Sequence, residues 1–126
     1  MGYAGTMGLG AGQAVRELGA DDDTDDELRD DIRRVTGREL LDDTSEDTAD
    51  AVVWWWREGD GDLAVELRDD AGPLAEGGPI WVLTPRQGKP GHVPAQELEE
   101  LAGDADLRVR AVVPLGGWTG HRLCRR

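Results

Sequence analysis

The loop Thr84-Pro85-Arg86-Gln87-Gly88-Lys89-Pro90-Gly91-His92 gathers three side chains able to carry positive charge, Arg86, Lys89 and His92, directly behind an apolar run. Cations presented by such a loop suit a carboxylate or a phosphate. Arg57 follows a second apolar run and is expected at the same edge, with Trp56 lining the mouth. Arg57, Arg86, Lys89, His92 and Trp56 are thus the candidate ligand-binding residues, the competing reading being ordinary solvated loop charge. Catalytic chemistry is poorly supplied. His92 and His121 are the two histidines, and neither has a Ser or Cys at a nucleophile spacing. Ser45 lies in an acidic loop, and Cys124 stands two residues from the end. No catalytic residue, metal cluster or cofactor is expected, and the enzyme question stays open, leaning to no.

Two further patterns reduce to local structure. Gly8, Gly10 and Gly12 have the density of a dinucleotide fingerprint but precede the first strand, whereas the fingerprint works at a helix N-terminus. Glu58-Gly59-Asp60-Gly61-Asp62 alternates oxygen donors but lacks the rest of a calcium loop, so a turn and a helix cap are expected. Trp54, Trp55 and Trp56 must alternate between faces if they lie on a strand, which favours core packing over one aromatic cage.

The elements that must hold these residues follow from periodicity. Gln13–Leu18 reads as a strand and Glu39–Leu41 as a brief one. Ala51–Trp56 and Ile80–Leu83 are apolar runs of strand length. Between them, Thr24–Thr36 carries Leu28, Ile32 and Val35 at helical spacing, with acids first, arginines last and Gly37 where a C-terminal cap belongs. Asp62 is placed to cap a second helix reaching about Leu74, and Pro94 opens a third that Gly103 closes. Arg108–Val113 and Trp118–Cys124, joined across Pro114–Gly117, read as an antiparallel pair. Apolar strands alternating with helices predict a small doubly wound, mostly parallel α/β sheet, Rossmann-like, with helices on both faces and a C-terminal antiparallel hairpin. Residues 1–12, rich in glycine, are expected as a flexible tail, and 13–126 as one domain.

Charge narrows the partners. The 126 residues carry 27 acids against 14 basic residues, a formal charge of -13, and positions 20 to 62 alone hold seventeen of the acids. Such a surface repels nucleic-acid phosphates and anionic lipid, so neither nucleic acid nor membrane is an expected partner. Arg108, Arg110, Arg122, Arg125 and Arg126 make the C-terminal end locally basic. A single cysteine, with no signal-like or membrane-length apolar segment, points to the reducing cytoplasm.

Trp54-Trp55-Trp56-Arg57, Gly59-Asp60-Gly61-Asp62-Leu63, Gly77-Gly78-Pro79-Ile80-Trp81-Val82-Leu83-Thr84-Pro85, Gly91-His92-Val93 and Trp118-Thr119-Gly120-His121-Arg122-Leu123, with Leu9-Gly10-Ala11-Gly12-Gln13 and Glu17-Leu18-Gly19 ahead of them, together resemble one bacterial family. The chain is similar, from about Leu9 to Leu123, to actinobacterial members of the family catalogued as domain of unknown function number 3052. The resemblance implies a reduced methyltransferase-type Rossmann sheet and transfers no activity and no catalytic residue. Val15-Arg16-Glu17-Leu18-Gly19 has the shape of the first half of a methyltransferase nucleotide motif, but Ala20, Asp21, Asp22 and Asp23 stand where further glycines would admit adenosylmethionine.

The leading expectation is therefore a non-catalytic or regulatory cytoplasmic module binding a small anion or a protein partner at the carboxyl edge of the sheet. The alternative is a small methyltransferase-like transferase with a degenerate adenosylmethionine motif. A homodimer along an exposed edge strand is a third possibility.

Overall fold

Five consecutive residues with no polar side chain except the tryptophan indoles, Ala51–Trp55, are buried on both faces and form β2 in the middle of the molecule. This is what a strand reads like when helices cover both sides of its sheet. The computed structural model describes residues 3–125. In chain order the elements are α1 (Tyr3–Thr6), β1 (Val15–Leu18), α2 (Asp26–Thr36), β2 (Ala51–Trp55), α3 (Leu63–Asp69), β3 (Ile80–Pro85), α4 (Ala95–Asp104), β4 (Leu107–Leu115) and β5 (Trp118–Arg125). One five-stranded sheet has the order β1-β2-β3-β5-β4. β1, β2 and β3 are parallel, while β5 runs antiparallel to both β3 and β4. The sheet is accordingly mixed, and the expectation of a mostly parallel one is corrected: the C-terminal hairpin supplies half of the strand pairings, because β5 inserts beside β3 and pushes β4 to the edge.

Alternation along β2 and β3 sorts their side chains onto two cores. Leu18, Val52, Trp54, Ile80 and Val82 pack with Leu63 and Leu67 of α3 and Leu98 of α4. Val15, Val53, Trp55, Trp81 and Leu83 pack on the other face with Leu28 and Ile32 of α2 and with Ala4 and Met7 at the N-terminus. The expected tail over residues 1–12 is therefore also corrected from Tyr3 onward; Met1 and Gly2 lie outside the described residues. Ala4, Met7 and Leu9 are buried, and Asp31 of α2 accepts a 2.8 Å hydrogen bond from the Ala4 backbone N–H. Three apolar residues between glycines suffice to dock the segment.

The helix limits follow their caps. Asp25 accepts from the N–H groups of Glu27 and Leu28 to start α2, and Gly37 ends it in the left-handed conformation. Asp62 starts α3 by accepting from Val65, but the helix stops at Asp69, five residues short of the expected end. The segment after it is needed elsewhere. Arg16, 1% exposed in the middle of β1, extends across the sheet to donate to the carbonyls of Ala71, Pro73, Ser45 and Asp47. Two loops are thereby tied to one buried guanidinium. Gly72, at φ +77°, leaves room for it, since a Cβ there would lie 2.9 Å from the Arg16 Cζ.

Candidate functional site

The chain leaves β1 outward and β2 inward. After α2, Leu41 bridges to Arg16 on the side of β1 away from β2, with Glu17 N–H donating to the Leu41 carbonyl at 2.8 Å. After β2, α3 crosses the opposite face toward β3. Connections that diverge in this way leave a crevice beyond the carboxyl ends of the two strands, where open α/β sheets bind their ligands. A cleft of about 810 Å³ lies there.

Its floor is tight. Gly19 ends β1 at φ +73°, and a Cβ on it would lie 2.2 Å from the Trp55 carbonyl oxygen, so only glycine lets the two strand ends approach this closely. Glu17, with its side chain nearly buried, accepts from the Trp55 indole Nε1–H at 2.9 Å and pairs with Arg29 of α2 at 2.8 Å. Trp55 in turn meets Trp118 edge to face, with centroids 4.8 Å apart. The strand-end carboxylate of the half-motif is thus already engaged on two sides.

Arg57 spans the rim. Its guanidinium donates to Asp23 in the loop after β1 and to the carbonyls of Gly19 at 2.7 Å and Trp55 at 3.2 Å. It lies 3.5 Å from Asp60 and stacks 5.3 Å from the Trp118 ring centroid. The Arg57 guanidinium holds the Asp23 carboxyl below its usual range, and the same hydrogen bond raises Arg57. The other arginines of the wall are also paired: Arg29 with Glu17 and Asp26, and Arg33 with Asp30 and Glu39. Against these three, the cleft is lined by seven carboxylates, those of Glu17, Asp21, Asp42, Asp43, Asp60, Glu66 and Asp70. Burial, and then the charges of Asp70, Asp60 and Asp62, push the Glu66 carboxyl up. A raised folded pKa means that native stability is lost as pH climbs through it. Glu66→Gln is therefore expected to raise stability slightly at pH 7, by less than about 1 kcal/mol for a side chain that stays partly in water. The gain should vanish below the carboxylate range, as a pair of melting curves at the two pH values will show.

Of the five residues singled out in the sequence, Trp56 and Arg57 line this cleft, and Arg86, Lys89 and His92 do not. The 84–92 loop does reach Arg57: the Glu58 N–H donates to the Gly91 carbonyl at 2.8 Å, and Gly91 sits against the Arg57 stem. Its cations turn elsewhere. Arg86 is exposed, Lys89 reaches over Gly117, and His92 donates from Nδ1 to the Pro85 carbonyl at 2.9 Å. Sequence reasoning missed Glu17, Gly19 and Asp60 as cleft residues, although the Glu17-Leu18-Gly19 half-motif was a visible signal for two of them. Among the described residues no group of three or more His, Cys, Asp or Glu side chains is placed to hold a metal ion.

Under the same loop, His121 is 3% exposed, with Nε2 3.2 Å from the Thr84 hydroxyl. Burial, helped by nearby His92, pushes its pKa down to about 4. The unfolded imidazole takes its proton near 6.5, so the stability due to neutral His121 is full above that pH and is lost as pH falls toward 4. A decline of about 2 kcal/mol across this window is expected. Urea unfolding of wild type and His121→Gln from pH 7 to pH 5 will measure it; the variant should show a flatter profile.

The family model described as "Protein of unknown function (DUF3052)" matches residues 4–126. The chain belongs to this family. Relatives from Mycobacterium tuberculosis and Mycobacterium bovis, each described as an uncharacterized protein, are 47% identical over 121 residues, covering 96% of this chain and 77% of theirs. Among solved structures, the family member is similar to the mitomycin 7-O-methyltransferase MmcR (TM-score 0.66, 15% identity) and to the pyocyanin biosynthetic protein PhzM (TM-score 0.65, 16% identity). Each likeness covers 92% of this chain, which spans about half the length of either structure. A SAM-dependent methyltransferase from Aquifex aeolicus matches with TM-score 0.56 at 15% identity, over 96% of this chain and 86% of its own. At these identities the likeness is one of fold: a mixed α/β sheet of the Rossmann-like, methyltransferase-like kind. No helix is long and apolar enough to cross a membrane among the described residues.

Proposed function

We propose that this chain is a cytoplasmic, non-catalytic binding module, a reduced doubly wound Rossmann-like unit whose ligand enters the cleft at the carboxyl ends of β1 and β2. We further propose that the ligand is a neutral or cationic small molecule. One observation carries this reading: every arginine lining the cleft is already paired with a carboxylate, and unpaired carboxylates make up the rest of its charge. An anion entering there meets repulsion and no available guanidinium, whereas a cation meets preplaced acids. Among the described residues no Ser, Cys, His or Lys side chain lines the cleft, which supports binding over covalent chemistry.

A second reading, a methyltransferase-like transferase, is favoured by the fold of the structural neighbours and by Glu17-Leu18-Gly19 at the end of β1. Adenosylmethionine, with its sulfonium, meets the charge requirement. Against it, Asp23 and Arg57 close over the loop where a glycine-rich turn would admit the cofactor.

Isothermal titration with spermidine, adenosylmethionine, adenosine and ATP separates these readings. The proposal expects heat from a cationic or neutral probe and none from ATP. Binding of adenosylmethionine well above that of spermidine and adenosine favours the transferase. Binding of ATP alone overturns the neutral-or-cationic reading, and binding of no probe overturns the small-ligand reading and leaves a protein partner at this edge.

A further inference from the structure

On the face of the sheet that carries α1 and α2, strand register sets four residues in one row: Val53 of β2, Trp81 of β3, Arg122 of β5 and Ala111 of β4. The register shift between Val109 and Ala111 is what turns Ala111 to this side. Past Trp81 the row opens into a second cavity of about 320 Å³, beside Ala51 at the start of β2 and Pro79 just before β3 and sharing no lining residue with the strand-end cleft, with Met7, Leu9 and Val113 as apolar wall. Its volume falls within the range of small-molecule sites.

Two polar groups here lack partners. Trp81 is 1% exposed, and its indole Nε1–H has no acceptor, a buried donor of the kind that folded proteins seldom leave unsatisfied. Arg122, half-buried beside it, has no carboxylate within ion-pair distance among the described residues, unlike the arginines of the other cleft. Of the remaining polar side chains of the wall, Thr6 is also partnered, Gln13 accepts from the Gly10 N–H, and Asp50 accepts from the Ala14 N–H, which directs one of its carboxylate oxygens to the backbone. Arg108, Arg110 and Arg125 on the same hairpin add positive charge to it, as Arg86 and Lys89 do to the 84–92 loop.

We propose that this cavity binds a small apolar monocarboxylate, an aryl or short-chain acid, its carboxylate held by Arg122 beside Trp81 and its apolar body against Met7, Leu9 and Val113. A guanidinium on an apolar wall is a strong carboxylate receptor because little water competes for it. The small side chain of Ala111 keeps the row open at the edge strand.

The test is nitrogen-15 NMR of the tryptophan indole groups during titration with benzoate and hexanoate, with benzamide as the uncharged control. The Trp81 indole resonance is expected to shift saturably with at least one acid and not with benzamide. Arg122→Gln is expected to weaken the acid about tenfold or more. Ala111→Leu, which fills the cavity from a partly exposed position, should abolish the shift while the rest of the spectrum stays in place. An indole resonance unmoved by either acid overturns the proposal. So does equal binding of benzamide, or acid binding unchanged in both variants.

Discussion

Replacing Arg16 by alanine is expected to lower folding stability by about 3–5 kcal/mol, a large share of what a domain of this size possesses. The guanidinium is fully buried and reaches four backbone carbonyls, at 2.5 to 3.3 Å, in the loops at residues 45–47 and 71–73. No carboxylate shares the site among the described residues, so the charge is stabilised by carbonyl dipoles alone. Removing it leaves those acceptors without their shared donor, unties the two loops and leaves a void beside β1. Arg16→Met separates the two causes: it refills most of the volume without donors, and should recover only a small part of the loss in urea denaturation. Recovery of most of it would mean that packing, not carbonyl bonding, holds the two loops.

Gly19→Ala is expected to cost roughly 2–4 kcal/mol, the sum of a side chain held at positive φ and a forced separation of strand ends. The added Cβ would lie 2.2 Å from the Trp55 carbonyl, and backbone cannot swing aside as a side-chain tip does. Because Gly19 and Trp55 both offer carbonyls to Arg57, the displacement also loosens the Asp23–Arg57 pair across the rim. Ligand binding at the cleft should fall together with stability, and denaturation followed by titration of the same sample measures both. A variant of wild-type stability would show that β1 and β2 do not approach this closely.

The parts legible in the sequence were those set by local pattern. Ala51–Trp56 and Ile80–Leu83 announced buried strands because neither alternates with polar residues, and β2 and β3 form there over Ala51–Trp55 and Ile80–Pro85. Asp62 and Gly37 marked helix limits through hydrogen bonds that span only a few residues. What tertiary contact decides was not legible. The tail at residues 3–12 looked mobile because glycines dominate it, while its docking depends on Asp31, which is 27 residues from Ala4. The early end of α3 follows from Arg16, 55 residues away from Ala71. The same reason underlies the site. Arg57 follows β2 as expected, but Asp23, 34 residues earlier, neutralises it, and no spacing rule links the two.

The central claim is that the cleft beyond β1 and β2 is a carboxylate-lined site whose arginines are already spent on internal pairs. The most direct measurement follows the backbone amides of Gly19, Ala20 and Asp60 and the Trp55 indole by NMR while adenosylmethionine, spermidine and pyrophosphate are added in separate titrations. Saturable shifts of this group with a cationic probe, diminished in Asp60→Asn, and no response to pyrophosphate are predicted. Saturable shifts of the same residues with pyrophosphate, and none with either cation, would contradict the account.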